Sequence, residues 1–234
     1  QEEHEMGEPN TAYRVGISTV DITPPVGIFL AGFAARQEPS TDVYHMLRAT
    51  AIAIEDDHTP LMMVGAEILG FYERTEAVRD RIHKATGIPH ANIVLNGSHT
   101  HCGPCIREID RERHGELDEE YIESLIGKVS QCATSAWNSR IPARLRFGVG
   151  HCDIAVSRRK PDGQGGVEWK PAPDECHDHQ VPVLTIETLE GALRGVIFSY
   201  ACHPTSRGGT SIGGDYVGFA YDRINGKYPQ VNAC

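Results

Sequence analysis

Apolar and polar positions alternate or recur along most of the chain, and their spacing predicts an interleaved set of strands and helices. Residues 13–20 (Tyr-Arg-Val-Gly-Ile-Ser-Thr-Val) are β-like, and Asp21-Ile22-Thr23-Pro24-Pro25 ends the run, because consecutive prolines force an extended or turning backbone. Residues 47–55 and 60–66 are apolar runs on either side of Asp56-Asp57-His58-Thr59, the pattern of a hairpin. Residues 73–86 carry Val78, Ile82 and Ala85 at helical spacing, with Gly87 as a stop. Residues 92–98 read as a short buried strand. The longest helix is expected over 118–137, where an acidic first turn suits the helix dipole.

Three further strands follow at 143–151, 181–187 and 193–201, then a last helix at 216–228 and the start of a strand at 230–234. The stretch 157–179 is polar, rich in Gly and Pro and predicted to be irregular, and loops of that length are often binding loops or lids. Residues 1–12 read as a flexible arm ahead of one catalytic domain over 13–234. The expected fold class is therefore α/β, a mixed central sheet flanked by helices.

Composition narrows the function classes. The chain has 234 residues, 40% hydrophobic and 23% charged, within the range of ordinary globular proteins. Its 22 Lys+Arg against 32 Asp+Glu leave a net charge of −10, which argues against binding a nucleic-acid backbone. No stretch reaches the roughly 18 apolar residues of a transmembrane segment. Starting at Gln1, the sequence reads as a processed product or a piece of a longer chain. Seven cysteines are too few, in a chain this long, for a small disulfide scaffold.

Twelve histidines carry more information. Ser98-His99-Thr100-His101-Cys102-Gly103-Pro104-Cys105 follows a predicted strand, and ligands collect beyond the C-terminal ends of strands in α/β sheets. Strand periodicity would put His99 and His101 on one face, as a metal-binding pair or as two hydrogen-bonded histidines. Cys102 and Cys105 form Cys-x-x-Cys, either a redox couple, half a zinc knuckle or two buried structural thiols. His203, in Cys202-His203-Pro204-Thr205-Ser206, also follows an apolar strand and could join His99 if the two strands lie close in the sheet. Asp215, in Gly213-Gly214-Asp215-Tyr216, is either a helix N-cap or a carboxylate that orients a ligand histidine. Ser157-Arg158-Arg159 offers a cation that could stabilise an oxyanion. His177-Asp178-His179 is a rival metal motif in an acidic loop.

In combination, these motifs resemble the neutral/alkaline non-lysosomal ceramidase family. The matching pieces run in order through Asp21-Ile22-Thr23-Pro24-Pro25, Leu30-Ala31-Gly32-Phe33, Asn92-Ile93-Val94-Leu95, His99-Thr100-His101-Cys102-Gly103-Pro104, Ser157-Arg158-Arg159, His203-Pro204-Thr205-Ser206 and Gly214-Asp215-Tyr216-Val217-Gly218. The resemblance implies a zinc-dependent amidohydrolase that splits a lipid-like N-acyl substrate, ceramide or a relative, and favours a secreted or periplasmic setting. It implies His99 and His203 as zinc ligands, His101 and Arg158 as groups that stabilise the reacting amide, Gly32 as a substrate-binding position, and Asp215 as support. Family members commonly have Ser where Cys102 stands. The family also supplies a Glu and a Tyr to the zinc from segments beyond those matched here, so the chain is expected to be the N-terminal part of a larger catalytic domain. A thiol oxidoreductase using Cys102 and Cys105, and a non-catalytic metal-binding chain, are the competing readings.

Overall fold

A computed structural model describes residues 13–234; the arm expected at residues 1–12 lies outside the described residues. The strands are β1 (Tyr13–Asp21), β2 (Asp42–Val43), β3 (Arg48–Glu55), β4 (Pro60–Ala66), β5 (Ile93–Gly97), β6 (Ile141–His151), β7 (Ser157–Pro161), β8 (Val167–Ala172), β9 (Gln180–Thr188), β10 (Leu193–Phe198), β11 (Ser211–Ile212) and β12 (Asn232–Ala233). The helices are α1 (Thr75–Thr86), α2 (Glu108–His114), α3 (Glu119–Asn138) and α4 (Asp215–Lys227). Eight strands form one mixed sheet in the order β12-β10-β9-β6-β1-β3-β4-β5.

Alternation within β3 decides which layer lies on which face. Ala49, Ala51 and Ala53 face one way and belong to a core with Ile122, Leu125, Ile126, Val129, Ala133 and Ala136 of α3. Their small side chains let the helix come close. A Cβ added to Gly16 of β1 would lie 1.9 Å from the Ala136 carbonyl oxygen, so the helix backbone rests directly on the strand there. Ile52 and Ile54 face the other way, into a second core with Val15, Ile17, Ala143 and Ile186. α3 starts as the acidic first turn predicts, with Asp118 as its cap accepting from the Tyr121 N–H at 2.8 Å.

The second core exists because the sheet curls. β1 pairs with β6 only over Tyr13–Val15, while its full length from Arg14 to Asp21 pairs with β3. Beyond Val15 the two halves of the sheet separate, and β6, β9, β10 and β12 fold back over the face that carries Ile52. Three contacts close the curl: Thr19 Oγ1 to Asn232 Oδ1 at 3.1 Å, Thr50 Oγ1 to the Ala233 carbonyl at 3.2 Å, and the Cys234 thiol to the Thr50 carbonyl at 3.9 Å. β5 and β10 thus end up on either side of a cleft of about 540 Å³, which His99 and His203 also line. Helix α4 covers the outer side of β12 through Val217 and Tyr221.

Several sequence expectations need correction. The 92–98 strand is an edge strand in which only Ile93 is fully buried, because β4 is its sole partner. Ala85 is exposed, since α1 meets the core through Val78 and Ile82 alone. The 157–179 stretch is not irregular: it holds the antiparallel hairpin β7–β8, whose exposed polar strands carry no alternation for a pattern search to find. Helix α2 was not predicted, because its seven residues are mostly charged and hold no apolar repeat.

Glu67, at the end of β4, is 1% exposed and lies against Gly214 and Gly218 of the α4 N-terminal turn. Its Oε2 accepts from the Arg48 N–H at 2.7 Å, while Oε1 is buried without a partner. Burial raises its carboxyl from the ordinary 4.5 to about 7, against the opposing pull of Arg48. The folded state therefore holds a proton that the unfolded chain has released, and this contribution to stability falls as pH rises from about 4.5 to about 7. Glu67→Gln should leave stability near that of the parent at pH 4.5 and raise it above the parent at pH 8 by about 2–3 kcal/mol. Urea denaturation at the two pH values checks this; a gap that does not widen with pH would refute it.

Candidate metal centre

His99, His101 and His203 meet at one end of the curled sheet. One ring nitrogen from each lies within 4.8 Å of the other two. Ring centroids are 5.2 Å apart for His99–His101, 5.0 Å for His99–His203 and 4.6 Å for His101–His203. His101 is buried, whereas His99 and His203 are exposed.

The route to this cluster differs from the expected one. His203 and His99 follow β10 and β5, and five strands separate these in the sheet order. They meet across the closed curl and not through neighbouring strands. His99 and His101 do not share a face by strand periodicity either, because β5 ends at Gly97 and His99 sits at φ +66°. A turn makes them converge. Its backbone is held by Ser98 N–H to the Ala66 carbonyl (2.8 Å) and His99 N–H to the Ile68 carbonyl (3.0 Å). A left-handed backbone at a non-glycine residue is costly and persists only where its surroundings fix it.

Two of the three imidazoles, those of His99 and His203, are oriented by a partner on one ring nitrogen. His99 Nδ1 donates to the Leu69 carbonyl at 2.9 Å, which leaves Nε2 with its lone pair available. The Arg158 guanidinium, which has only donors, contacts His203 Nδ1. His203 Nε2 and His101 Nε2 are 2.7 Å apart and share one proton. His101 Nδ1 is buried without a partner. Burial first, then the charges of His203, His99, Arg36 and Arg158, lower His101 to about 4, so it is neutral near pH 7. Burial and Arg158 lower His203 as well. Neutral imidazoles are the form that ligates metal, so the donor set fits an ion such as zinc.

The other predicted residues also surround this cluster, in roles the sequence did not specify. Gly32 packs on the His101 ring: a Cβ there would come within 2.4 Å of His101 Cγ, and its φ of +100° disfavours any side chain. The bonds Ala31 N–H to Gly103 carbonyl (2.9 Å) and Cys105 N–H to Phe29 carbonyl (2.8 Å) hold this segment in place. Asp215 does not touch the His203 ring, and Gly214 is the helix cap. Buried at φ +56°, Asp215 accepts from Ser206 Oγ (2.7 Å), Arg207 N–H (2.9 Å) and Tyr216 N–H (2.6 Å), pinning the loop that carries His203. Arg158 projects from β7, with its guanidinium 4.8 Å from the Trp169 ring on β8.

Two residues assigned no role from the sequence also matter. Arg36 is buried; its Nη1 donates to the Ala31 carbonyl at 3.1 Å, and its Nη2 has no partner. Phe33 meets His101 edge-on at 4.9 Å. By contrast, Cys102 and Cys105 are buried, and burial raises both thiols, Cys105 to about 12. That is the reverse of a reactive pair, so the geometry gives the thiol oxidoreductase reading no support.

Gly32→Ala should cost about 2 kcal/mol of stability, from backbone strain and collision with the His101 ring. Urea denaturation measures it, and an unchanged midpoint would mean that the loop yields freely. With a thiol-specific chromophore the native protein should label at exposed Cys176 first, leaving Cys102 and Cys105 unmodified until it unfolds. Rapid labelling of both in the native state would contradict their assignment as structural.

Comparison with known proteins places these features together. A family model described as neutral/alkaline non-lysosomal ceramidase, N-terminal, matches residues 13–232. Neutral ceramidase A of Dictyostelium discoideum is 24% identical over 232 residues, covering 94% of this chain and 32% of its own length. The solved structure of a ceramidase complexed with C2 superposes with a TM-score of 0.80 at 21% identity, over 96% of this chain and 37% of that one. The crystal structure of neutral ceramidase from Pseudomonas aeruginosa gives 0.77 at 21% identity, over 97% and 38%. The chain spans about a third of the length of the curated relative, and the two structures show that the fold is shared.

Proposed function

The chain belongs to the neutral/alkaline non-lysosomal ceramidase family, in its N-terminal part, and on that premise we propose that it carries the histidine half of a zinc-dependent amidohydrolase site acting on ceramide or a related N-acyl lipid. The observation that carries the proposal is the convergence of His99, His101 and His203 with the Arg158 guanidinium against His203.

His99 and His203 would hold the zinc. His99 already presents its Nε2 lone pair. His203 Nδ1 accepts from Arg158, so the His203 ring proton would have to move from Nε2 to Nδ1 to offer Nε2. When bound, zinc supplies a Lewis acid and makes water more acidic. The Leu69 carbonyl fixes the His99 ring in the tautomer that exposes Nε2. His101 is neutral near pH 7 and its Nε2 stands 2.7 Å from His203 Nε2, so it can accept a proton from a reacting group, becoming an imidazolium until that proton is passed on. Arg158 keeps its charge and presents several N–H donors in one plane, which suits the negative charge that grows on an amide oxygen. Its contact with the Trp169 ring limits its rotamers, so less reorganisation is needed at the moment of reaction.

Zinc content and turnover of a fluorescent N-acyl sphingoid amide separate these roles. His99→Ala and His203→Ala should each lower zinc affinity more than tenfold. Arg158→Ala should keep the zinc and lower kcat about 100-fold, the usual effect of removing one oxyanion donor. Retention of zinc and full turnover in His203→Ala would overturn the proposal.

A further inference from the structure

The hairpin that carries Arg158 leaves the sheet through a narrow neck, and a second cluster of metal-binding side chains sits there. His151 ends β6, Asp153 follows it, and His179 immediately precedes β9. The two strands are still joined at this point, since the Cys152 N–H donates to the His179 carbonyl at 2.9 Å. His151 Nε2 lies 2.7 Å and His179 Nδ1 2.8 Å from the same oxygen, Asp153 Oδ1. The three ligand atoms lie within 4.8 Å of one another.

The orientation of these groups is informative. His179 Nδ1 is buried, yet at 2.8 Å from the carboxylate it makes no hydrogen bond. The two atoms are close enough to share a ligand, but their alignment does not make an N–H···O bond. The His151 and His179 rings stack at 5.2 Å and 22°. His177 stands beside them, 4.2 Å from the His179 ring. Its Nδ1 donates to the Glu175 carbonyl at 2.8 Å, and its Nε2 keeps a free lone pair. Asp178, the middle residue of the rival motif, is not part of the group: its carboxylate caps the Gln180 N–H.

We propose that His151, Asp153 and His179 form a second metal site, independent of the His99 cluster, for a divalent first-row ion that prefers imidazole. Two imidazoles and one carboxylate suit zinc, copper or nickel, whereas calcium and magnesium prefer all-oxygen sets. An ion bound here joins residue 153 to residue 179 and closes the base of the segment that includes β7, β8 and Arg158. The ion would add a side-chain tie to the backbone pairing already present between Cys152 and His179. The site thus steadies the hairpin that holds Arg158 against His203.

Equilibrium dialysis with Zn2+ and Co2+ tests the site in a chain whose first cluster is removed. His99→Ala/His203→Ala should retain one equivalent of metal, and adding His151→Ala/His179→Ala should abolish it. Asp153→Asn, an isosteric change at an exposed position, should weaken binding at least tenfold and serves if the histidine changes unsettle the neck. Hydrogen exchange over residues 157–172 should slow when Zn2+ is added to His99→Ala/His203→Ala and should not respond when His151 and His179 are also replaced. Absence of bound metal in His99→Ala/His203→Ala would refute the proposal. So would metal that persists after His151 and His179 are replaced, which would assign it to other surface histidines.

Discussion

Everything at the candidate centre depends on the closure of the sheet upon itself. The contacts of Thr19 and Thr50 with the β12 backbone and side chains bind the far edge of the sheet over its own middle. Without that closure, β10 and β5 would stand five strands apart, and His203 could not approach His99. The closure is driven from within by Ile17, Ile52, Ile54 and Ile186, which have no helix to cover them and can leave water only against each other. Polar contacts then fix how the two layers meet, because a buried Thr50 hydroxyl without its acceptor would be costly.

Strain and charge concentrate where the layers meet. Of the three non-glycine residues with positive φ among the described residues, His99 belongs to the cluster and Asp215 to the turn that holds its loop. Each is held by several backbone hydrogen bonds, so local cost is offset by many fixed partners. Beneath them lie groups that water does not reach: Glu67 with one free oxygen, Arg36 with one free nitrogen, and His101 with Nδ1 unpaired.

Arg158 reaches the centre by another route. It comes from an exposed hairpin outside the main sheet and is held through the Trp169 ring and His203. The cluster thus draws its histidines from segments that follow strands of the main sheet and its neighbouring cation from a peripheral hairpin. Motion of the hairpin would change the cation's distance from the cluster and with it the contact that orients His203.

The sequence by itself determined the layers. In β3, small and branched side chains alternate, and that alone assigns Ala49, Ala51 and Ala53 to the helix side and Ile52 and Ile54 to the other. The span of α3, the 56–59 turn and the stop at Gly87 were equally legible, since caps, turns and periodicity are local properties of neighbouring residues. The motifs around His99, His203 and Arg158 could be picked out by residue type, and the chain order of those motifs carried the family. What the sequence did not reveal is how they come together. Curling of the sheet, the turn at His99, the packing of Gly32 on His101 and the pinning of the His203 loop by Asp215 all join residues far apart in the chain. Such contacts arise from the need to bury one sheet face and to pair each buried polar atom, and only the tertiary structure settles which distant residues satisfy that need.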